Sequence, residues 1–379
     1  MKERTFQVCT NCVMDTTDSK IKFDNQGVCD YCNGFNNDVK GSWNKNTHNE
    51  IELLDIAKKI KKNSRKSKYD CIIGLSGGLD SSYLCYVTKE IMGLNPLVYV
   101  VDTGWNLNVA VENIEKIVRG LDLDMYTEVV NWNEMKDLQL AFFKSQVPYQ
   151  DFPQDHAIFA GLYNFAVKNK IKYVFTGANN STEGVRPPVE WVYINDLRLM
   201  KDIHKKFGKI KKLKTFPTCG MIKYRLFYPY VKGMKRFYPL DYIHYEKKEV
   251  EIFLNDKFGW TKYENKHYEN IFTRFYEGYY LPTKFNYDKR KCYYSNLILT
   301  GQMSREDALS QLLNPSYDKQ LANKDMSYIA KKMGVSLEEF KIIISGDNKY
   351  YNDYKNSYGV LMFFIKMAKL VGLEKRNFR

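Results

Sequence analysis

Residues 74–84 read GLSGGLDSSYL, directly after YDCII at 69–73. The preceding run reads as a short buried strand, and the residues after it carry a helical pattern. The turn between them holds three glycines, three serines, one aspartate and no lysine. Glycines let backbone N–H groups converge without side-chain obstruction. The helix that follows adds the positive end of its dipole. Ser76, Ser81 and Ser82 add hydroxyl donors, so the turn reads as a nest for a polyphosphate anion. It is not a Walker A loop, which needs a Gly-Lys pair, nor does GLSGGL fit the dinucleotide pattern GxGxxG. Asp80 is acidic and cannot grip phosphate directly; it is suited to hold Mg²⁺ or its water. The plain alternative is an ordinary strand-to-helix turn.

Outward from this turn, apolar runs and helical patterns alternate. A helix is expected at 50–63, then strand YDCIIGL and a helix at 80–92. PLVYVVD at 96–102 is a second strand, followed by a helix at about 108–120. DMYTEVV at 124–130 is a third, and a helix at 155–169 precedes KYVFTGA, the fourth. RFYPLDY at 236–242 is the fifth, followed by a helix at 246–258. This rhythm predicts an α/β fold with a doubly wound parallel sheet. Beyond about 266 the chain turns helical, aromatic and basic, and Ser304 with Asp307 marks a helix start. The expected units are 1–45, 46–265 and 266–379. The apolar run GVLMFFIKMAKLVGLEK near the C-terminus reads as a helix docked on the core, with a partner or membrane-surface helix as the alternative.

Cysteines mark the first unit. Cys9 and Cys12 form one CxxC pair, Cys29 and Cys32 another, and 16 residues separate them. Two such turns complete a tetrahedral thiolate site, with FDNQGVC supplying a tight turn between them. Zn²⁺ is the expected ion and an iron–sulfur cluster the lesser alternative. With four thiolates no position is left for water, so the metal reads as structural. Cys71 and Cys85 read as small buried apolar residues.

The 379 residues carry a net charge of +14. That balance fits a nucleic-acid surface, a substrate rich in phosphate and carboxylate, or a solvated lysine face. The densest runs, 58–68 and 205–214, lack interleaved aromatics for base stacking. No run reaches the ~20 apolar residues of a membrane span. The N-terminus lacks a signal-peptide pattern. The expectation is a cytoplasmic protein with no membrane or nucleic-acid partner.

SGGLDSS resembles the signature of the PP-loop ATP pyrophosphatases, of the adenine nucleotide alpha hydrolase-like fold. The resemblance implies that Ser76, Gly77, Gly78, Ser81 and Ser82 grip the pyrophosphate of ATP, with Asp80 in the same loop reaching it through Mg²⁺. It places Asp102 near the nucleoside, and TGANNSTEG at 176–184, with Gly177, on the opposite lip. Glu183 there is a metal or substrate ligand or else a solvated loop carboxylate. CTNCVMDTTD, GVCDYC, FPQDHAIF, MKRFYPLDYIHYEKKEVEIFL, FGWTKYENKHYENIFTRFYEGYYLPTKF and YDKRKCYYSNLILTGQMSREDAL together are similar to one branch, the N-acetyl sugar amidotransferases of surface-polysaccharide and nonulosonic-acid pathways. That branch implies ATP, Mg²⁺ and Zn²⁺ as cofactors. It also implies an activated or acidic N-acetyl sugar as substrate, and ammonia from a partner glutaminase with a synthase-like companion, similar to the pair of histidine biosynthesis. Candidate catalytic residues are Asp80, Ser81, Glu183, Lys289 and Arg290. Candidate sugar contacts are Asp155, His156, Lys266, His267, Asp288 and Arg290, with Glu269 beside them; Arg290 is suited to a bidentate carboxylate contact. A capping role for Asp155 and a plain surface helix for 266–269 are the alternatives. The competing reading is a tRNA-thiolating enzyme, which would need catalytic cysteines in the core.

Overall fold

The computed structural model describes residues 5–41, 43, 49–193, 196–263 and 268–370. Its centre is a five-stranded, all-parallel sheet in the order β3-β2-β1-β4-β5. The strands are β1 (Cys71–Gly74), β2 (Pro96–Asp102), β3 (Asp124–Val129), β4 (Tyr173–Phe175) and β5 (Lys235–Phe237). Ile72 pairs with Leu97 on one side and Val174 on the other, so β1 lies between β2 and β4. Buried on both faces, β1 is a continuous apolar run. The order reverses beside β1, and ligands of such sheets bind beyond the strand ends at that point.

Before the sheet come α1 (Asp30–Gly34) and α2 (Glu50–Asn63), the latter capped by Asn49, which accepts from the Glu52 N–H. α3 (Leu79–Tyr86) follows β1, and α4 (Asn108–Gly120) follows β2. After β3 come α5 (Trp132–Lys144), capped by Asn131, and α6 (Phe152–Lys168). α7 (Asn180–Glu183) and α8 (Leu197–Phe207) lie between β4 and β5, and α9 (Lys247–Phe258) follows. The C-terminal part holds α10 (Ile271–Phe275), which continues as π-helix through Phe285, then α11 (Arg290–Leu299) and α12 (Arg305–Leu313). It continues through α13 (Lys319–Met333) and α14 (Leu337–Ile344) to α15 (Tyr358–Leu370). No described helix is long and apolar enough to cross a membrane.

Three expectations change. The fifth strand ends at Phe237, and Pro239–Tyr242 is a 3-10 turn, because Pro239 has no N–H for the ladder. α6 begins at Phe152, with Pro153 in its first turn, where a missing N–H costs nothing. Asp155 therefore lies inside the helix and does not cap it. The terminal helix α15 leaves Phe363 and Phe364 61% and 56% exposed, so it is not a docked core helix.

The cysteine knuckle does not stand apart. Its four cysteines share one apolar cluster with Trp105, Trp191, Phe272, Cys292 and Met333. Arg305 donates to the Cys9 and Cys12 carbonyls, and Lys291 pairs with Asp15 at 2.6 Å. The N-terminal knuckle is thereby fixed to α11 and α12.

Candidate functional site

The loop after β1 opens into a cleft of 750 Å³. Ser76, Gly78, Asp80 and Ser81 line it. Gly78 caps α3, and the N–H groups of residues 79–81 lie in the first turn, where the helix offers them no acceptor. Gly77 has φ +82°, and a Cβ there would lie 2.5 Å from the Ala110 carbonyl. Its own carbonyl accepts from Trp260 Nε1 at 2.9 Å and the Tyr263 hydroxyl at 3.1 Å. Asn113 accepts from the Thr261 N–H and donates to the Thr261 carbonyl, tying that segment to α4. Trp260 and Tyr263 lie in the quoted stretch FGWTKYEN, yet the sequence assigns no role to them or to Asn113, because that role exists only once α4 and the 260–263 segment meet.

Asp80 Oδ1 accepts from the Tyr245 hydroxyl and from Asn179 Nδ2. Burial, then the Asp80 carboxylate, pushes the Tyr245 phenol far above its ordinary pKa, so it stays a donor. The opposite lip is the loop after β4. Gly177 is required there: a Cβ would sit 2.9 Å from the Asp80 carbonyl carbon. Asn179 caps α7 through the Thr182 N–H, and Asp241 accepts from the Asn180 N–H at 2.7 Å. Burial raises the Asp241 carboxyl to about 6 despite these donors. Glu183 lines the cleft beside Asp80. Asn179 lies in the lip segment TGANNSTEG, but neither it nor Tyr245 is singled out by residue type.

The far wall comes from the C-terminal helices, including Glu277, Asp288, Lys289, Arg290, Tyr293 and Tyr294. Lys289 pairs with Glu277. Burial opposes its charge, but Glu277, Asp151 and Asp155 outweigh that, and its pKa lies above the ordinary value. Arg290 reaches both oxygens of Asp288 and the Gln311 and Asn314 carbonyls. Its fork is thus engaged within the protein, and a bidentate sugar contact would have to displace Asp288. Glu269 reaches the glycine loop: a Cβ on Gly78 would lie 2.2 Å from its Oε1. A carboxylate is favoured at a helix N-terminus, and a phosphate approaching Gly78 requires it to move.

A second chamber of 380 Å³ adjoins the first, sharing Ser76, Glu269, Glu277 and Lys289 as walls. It is also lined by Tyr99, Asp151, Gln154 and Asp155. Burial, then Asp155 and Glu277, pushes the Asp151 carboxyl well above its usual range.

Other expected site residues lie elsewhere. Ser82 is buried behind the first turn, its hydroxyl without a partner among the described residues, and it does not line the cleft. Asp102 accepts from the Gly104 N–H at the end of β2 and lines neither chamber. His156 is a correction: it is fully buried and stacked on Phe152, and its Nε2 accepts from the Cys219 N–H. Burial lowers its pKa to about 4, and it lines neither chamber. Lys266 and His267 lie outside the described residues.

At the knuckle the four Sγ atoms converge. Ligands ~2.3 Å from one tetrahedral ion stand about 3.8 Å apart. Here Cys9–Cys32 is 3.8 Å, and Cys12–Cys29 and Cys29–Cys32 are 3.6 Å. The Cys12 and Cys29 N–H groups donate to Cys9 Sγ, and the Met14 N–H to Cys12 Sγ, as thiolates require. The geometry fits one tetrahedral ion. Cys71, Cys85, Cys219 and Cys292 are buried and lie in separate parts of the cores, apart from the Cys71–Cys85 neighbours. Burial pushes the Cys85 thiol up to about 12.

Residues 269–369 match the family described as LPS biosynthesis protein WbpG-like, C-terminal domain. An uncharacterized protein of Methanocaldococcus jannaschii is 34% identical over 74 residues, 20% of this chain and 26% of that protein. The match thus spans about a quarter of the length of that curated relative. Among solved structures, an NH3-dependent NAD synthetase from Campylobacter jejuni aligns over 81% of this chain and 98% of its own, at 13% identity and a TM-score of 0.34. The tRNA thiolase NcsA from Methanococcus maripaludis, with its 4Fe-4S cluster, aligns over 79% of this chain and 82% of its own, at 15% identity and a TM-score of 0.31.

Proposed function

We propose that the protein is an ATP-dependent amidotransferase that converts the N-acetyl group of an activated, acidic sugar to an acetamidino group in surface-polysaccharide, LPS O-antigen or flagellin-glycan biosynthesis. One observation carries the reading. A glycine–serine loop at the switch point of a parallel sheet faces, across one cleft, side chains from the segment that matches the WbpG-like LPS biosynthesis family.

An amide carbonyl is a poor electrophile, and oxide cannot leave. Attack of the amide oxygen on the α-phosphorus of ATP solves both problems. The α–β bridging bond breaks, and pyrophosphate leaves with its electron pair. Ammonia adds to the resulting imidate carbon and loses a proton, and AMP departs with the former amide oxygen. As the resemblance implies, a partner glutaminase and its companion would supply the ammonia.

The residues divide the work. First-turn N–H groups of α3, with the Ser76 and Ser81 hydroxyls, meet the charge growing on pyrophosphate. Asp80 and Glu183 would hold Mg²⁺, which neutralises phosphate charge when bound. Tyr245 and Asn179 orient Asp80. Lys289 and the tyrosines of α11 orient the sugar, with Asp288 and Arg290 as a braced pair at the wall. The C-terminal wall excludes water, which would hydrolyse the imidate. Zn²⁺ on Cys9, Cys12, Cys29 and Cys32 would supply folding energy and no chemistry. The buried, scattered core cysteines speak against the thiolating alternative.

The test is to incubate purified protein with ATP, ammonium and a panel of nucleotide-activated N-acetyl sugars. The reading expects AMP and pyrophosphate in step with an acetamidino sugar. ADP and phosphate as products would overturn it.

A further inference from the structure

The helix α15 presents an apolar stripe on the side where a surface helix normally carries polar residues. Val360, Phe363, Phe364, Met367 and Leu370 recur at helical spacing and are 45–72% exposed, while Leu361, Met362 and Ile365 on the other side are half-buried. A second protruding element, the π-helix Lys223–Val231, behaves alike. Ile222 is 76% exposed, Tyr230 81% and Val231 66%. The two elements meet at an open groove of 1020 Å³, to which Ile222 and Phe227 contribute from one side and Val360 from the other.

The rim of this groove is cationic, with Arg198, Lys201, Lys205, Lys223 and Lys355. Its two acids are committed within the fold. Asp202 pairs with Lys206 and accepts from the Lys355 N–H. Asp196 caps α8 and accepts from Tyr193 and Ser357. Exposed Arg225, Lys232 and Lys235 extend the same sign along the π-helix and its exit.

We propose that this face docks the protein on an anionic phospholipid bilayer. Lysines meet the headgroups while the apolar stripe of α15 and the tip of the π-helix enter the acyl boundary. Charge complementarity selects an anionic occupant. The aliphatic members, Ile222, Val231, Val360 and Leu370, select hydrocarbon over nucleic acid, whose bases reward aromatic platforms. This face is distinct from the cleft, shares no lining residue with it among the described residues, and does not depend on the proposed reaction.

Cosedimentation of the full chain with vesicles tests this. With phosphatidylcholine vesicles containing phosphatidylglycerol, the protein should pellet; with phosphatidylcholine alone it should stay in solution, and high salt should release it. Lys201→Gln and Lys205→Gln should each weaken partitioning about fivefold. Phe363→Ser with Phe364→Ser should abolish it, and Tyr230→Ser with Val231→Ser provides an independent lesion on the other element. All should keep the wild-type melting temperature. Failure to pellet with either vesicle overturns the proposal. So does a dimer that dissociates in the Phe363→Ser, Phe364→Ser variant without vesicle binding, or a tRNA shift that competes the vesicles off.

Discussion

Asp80 owes its position to two neighbours from distant parts of the chain, Tyr245 and Asn179. Asp80→Ala should therefore lower turnover at least about a hundredfold with the fold intact. Tyr245→Phe should lower kcat about tenfold, the loss of one hydrogen bond to a charged group. If Tyr245 orients Asp80, the KM for ATP should stay near wild type while the Mg²⁺ requirement rises; unchanged kcat in Tyr245→Phe would contradict that role. Asp80 was legible in the sequence because it sits inside a motif of local backbone geometry. Tyr245 was not, because only the packing of α9's approach against α3 creates its contact. His156 shows the reverse error: beside an aspartate at a helix start it looked like a site residue, yet burial makes it structural. Its folded pKa of about 4 lies below the ordinary 6.5, so its contribution is present above pH 6.5 and is lost as pH falls toward 4. The amount is on the order of 3 kcal/mol. Asp241, raised to about 6, acts oppositely between about pH 4 and 6, so the comparison must be internal. Urea unfolding of wild type and His156→Gln across that range should show the acid loss only in wild type; parallel curves would refute it.

At the scale of elements, the β1–α3 turn and the cysteine knuckle were readable because each is a short segment whose residues dictate backbone shape. Gly77 at φ +82° and the paired CxxC turns leave few alternatives. The fifth strand was misjudged because RFYPLDY has strand composition, and only Pro239 marks its end. α15 was misjudged because an apolar sequence does not say which of its faces is covered. The knuckle is bound to α11 and α12 through Arg305 and Lys291, so its loss should be felt beyond the first 40 residues or so. Elemental analysis should find one zinc per chain. Cys9→Ser should lose it and lower the melting temperature, with any remaining folded protein keeping its KM for ATP. Metal-free wild-type protein of unchanged stability would contradict a structural ion.

For the whole molecule, net charge alone left nucleic acid, acidic sugar and a plain solvated face open. The structure separates the question by position. The lysine runs at 58–68 and 205–214 do not line the cleft, whereas Lys289, Lys247 and Lys262 do. Salt should thus depress sugar turnover modestly, through a few local charges. A tRNA substrate would give a steep decline with a slope set by phosphate contacts. Alanines across 58–68 should leave turnover near wild type; a tRNA shift lost in that variant, with no sugar turned over, would reverse the assignment. The central claim is that the amide oxygen of the sugar attacks the α-phosphorus of ATP, and isotope transfer reads it directly. With heavy oxygen in the N-acetyl carbonyl, ATP and ammonium, the label should appear in the phosphate of AMP, one atom per acetamidino group formed. Label retained in the sugar, or AMP released without it, would contradict the account.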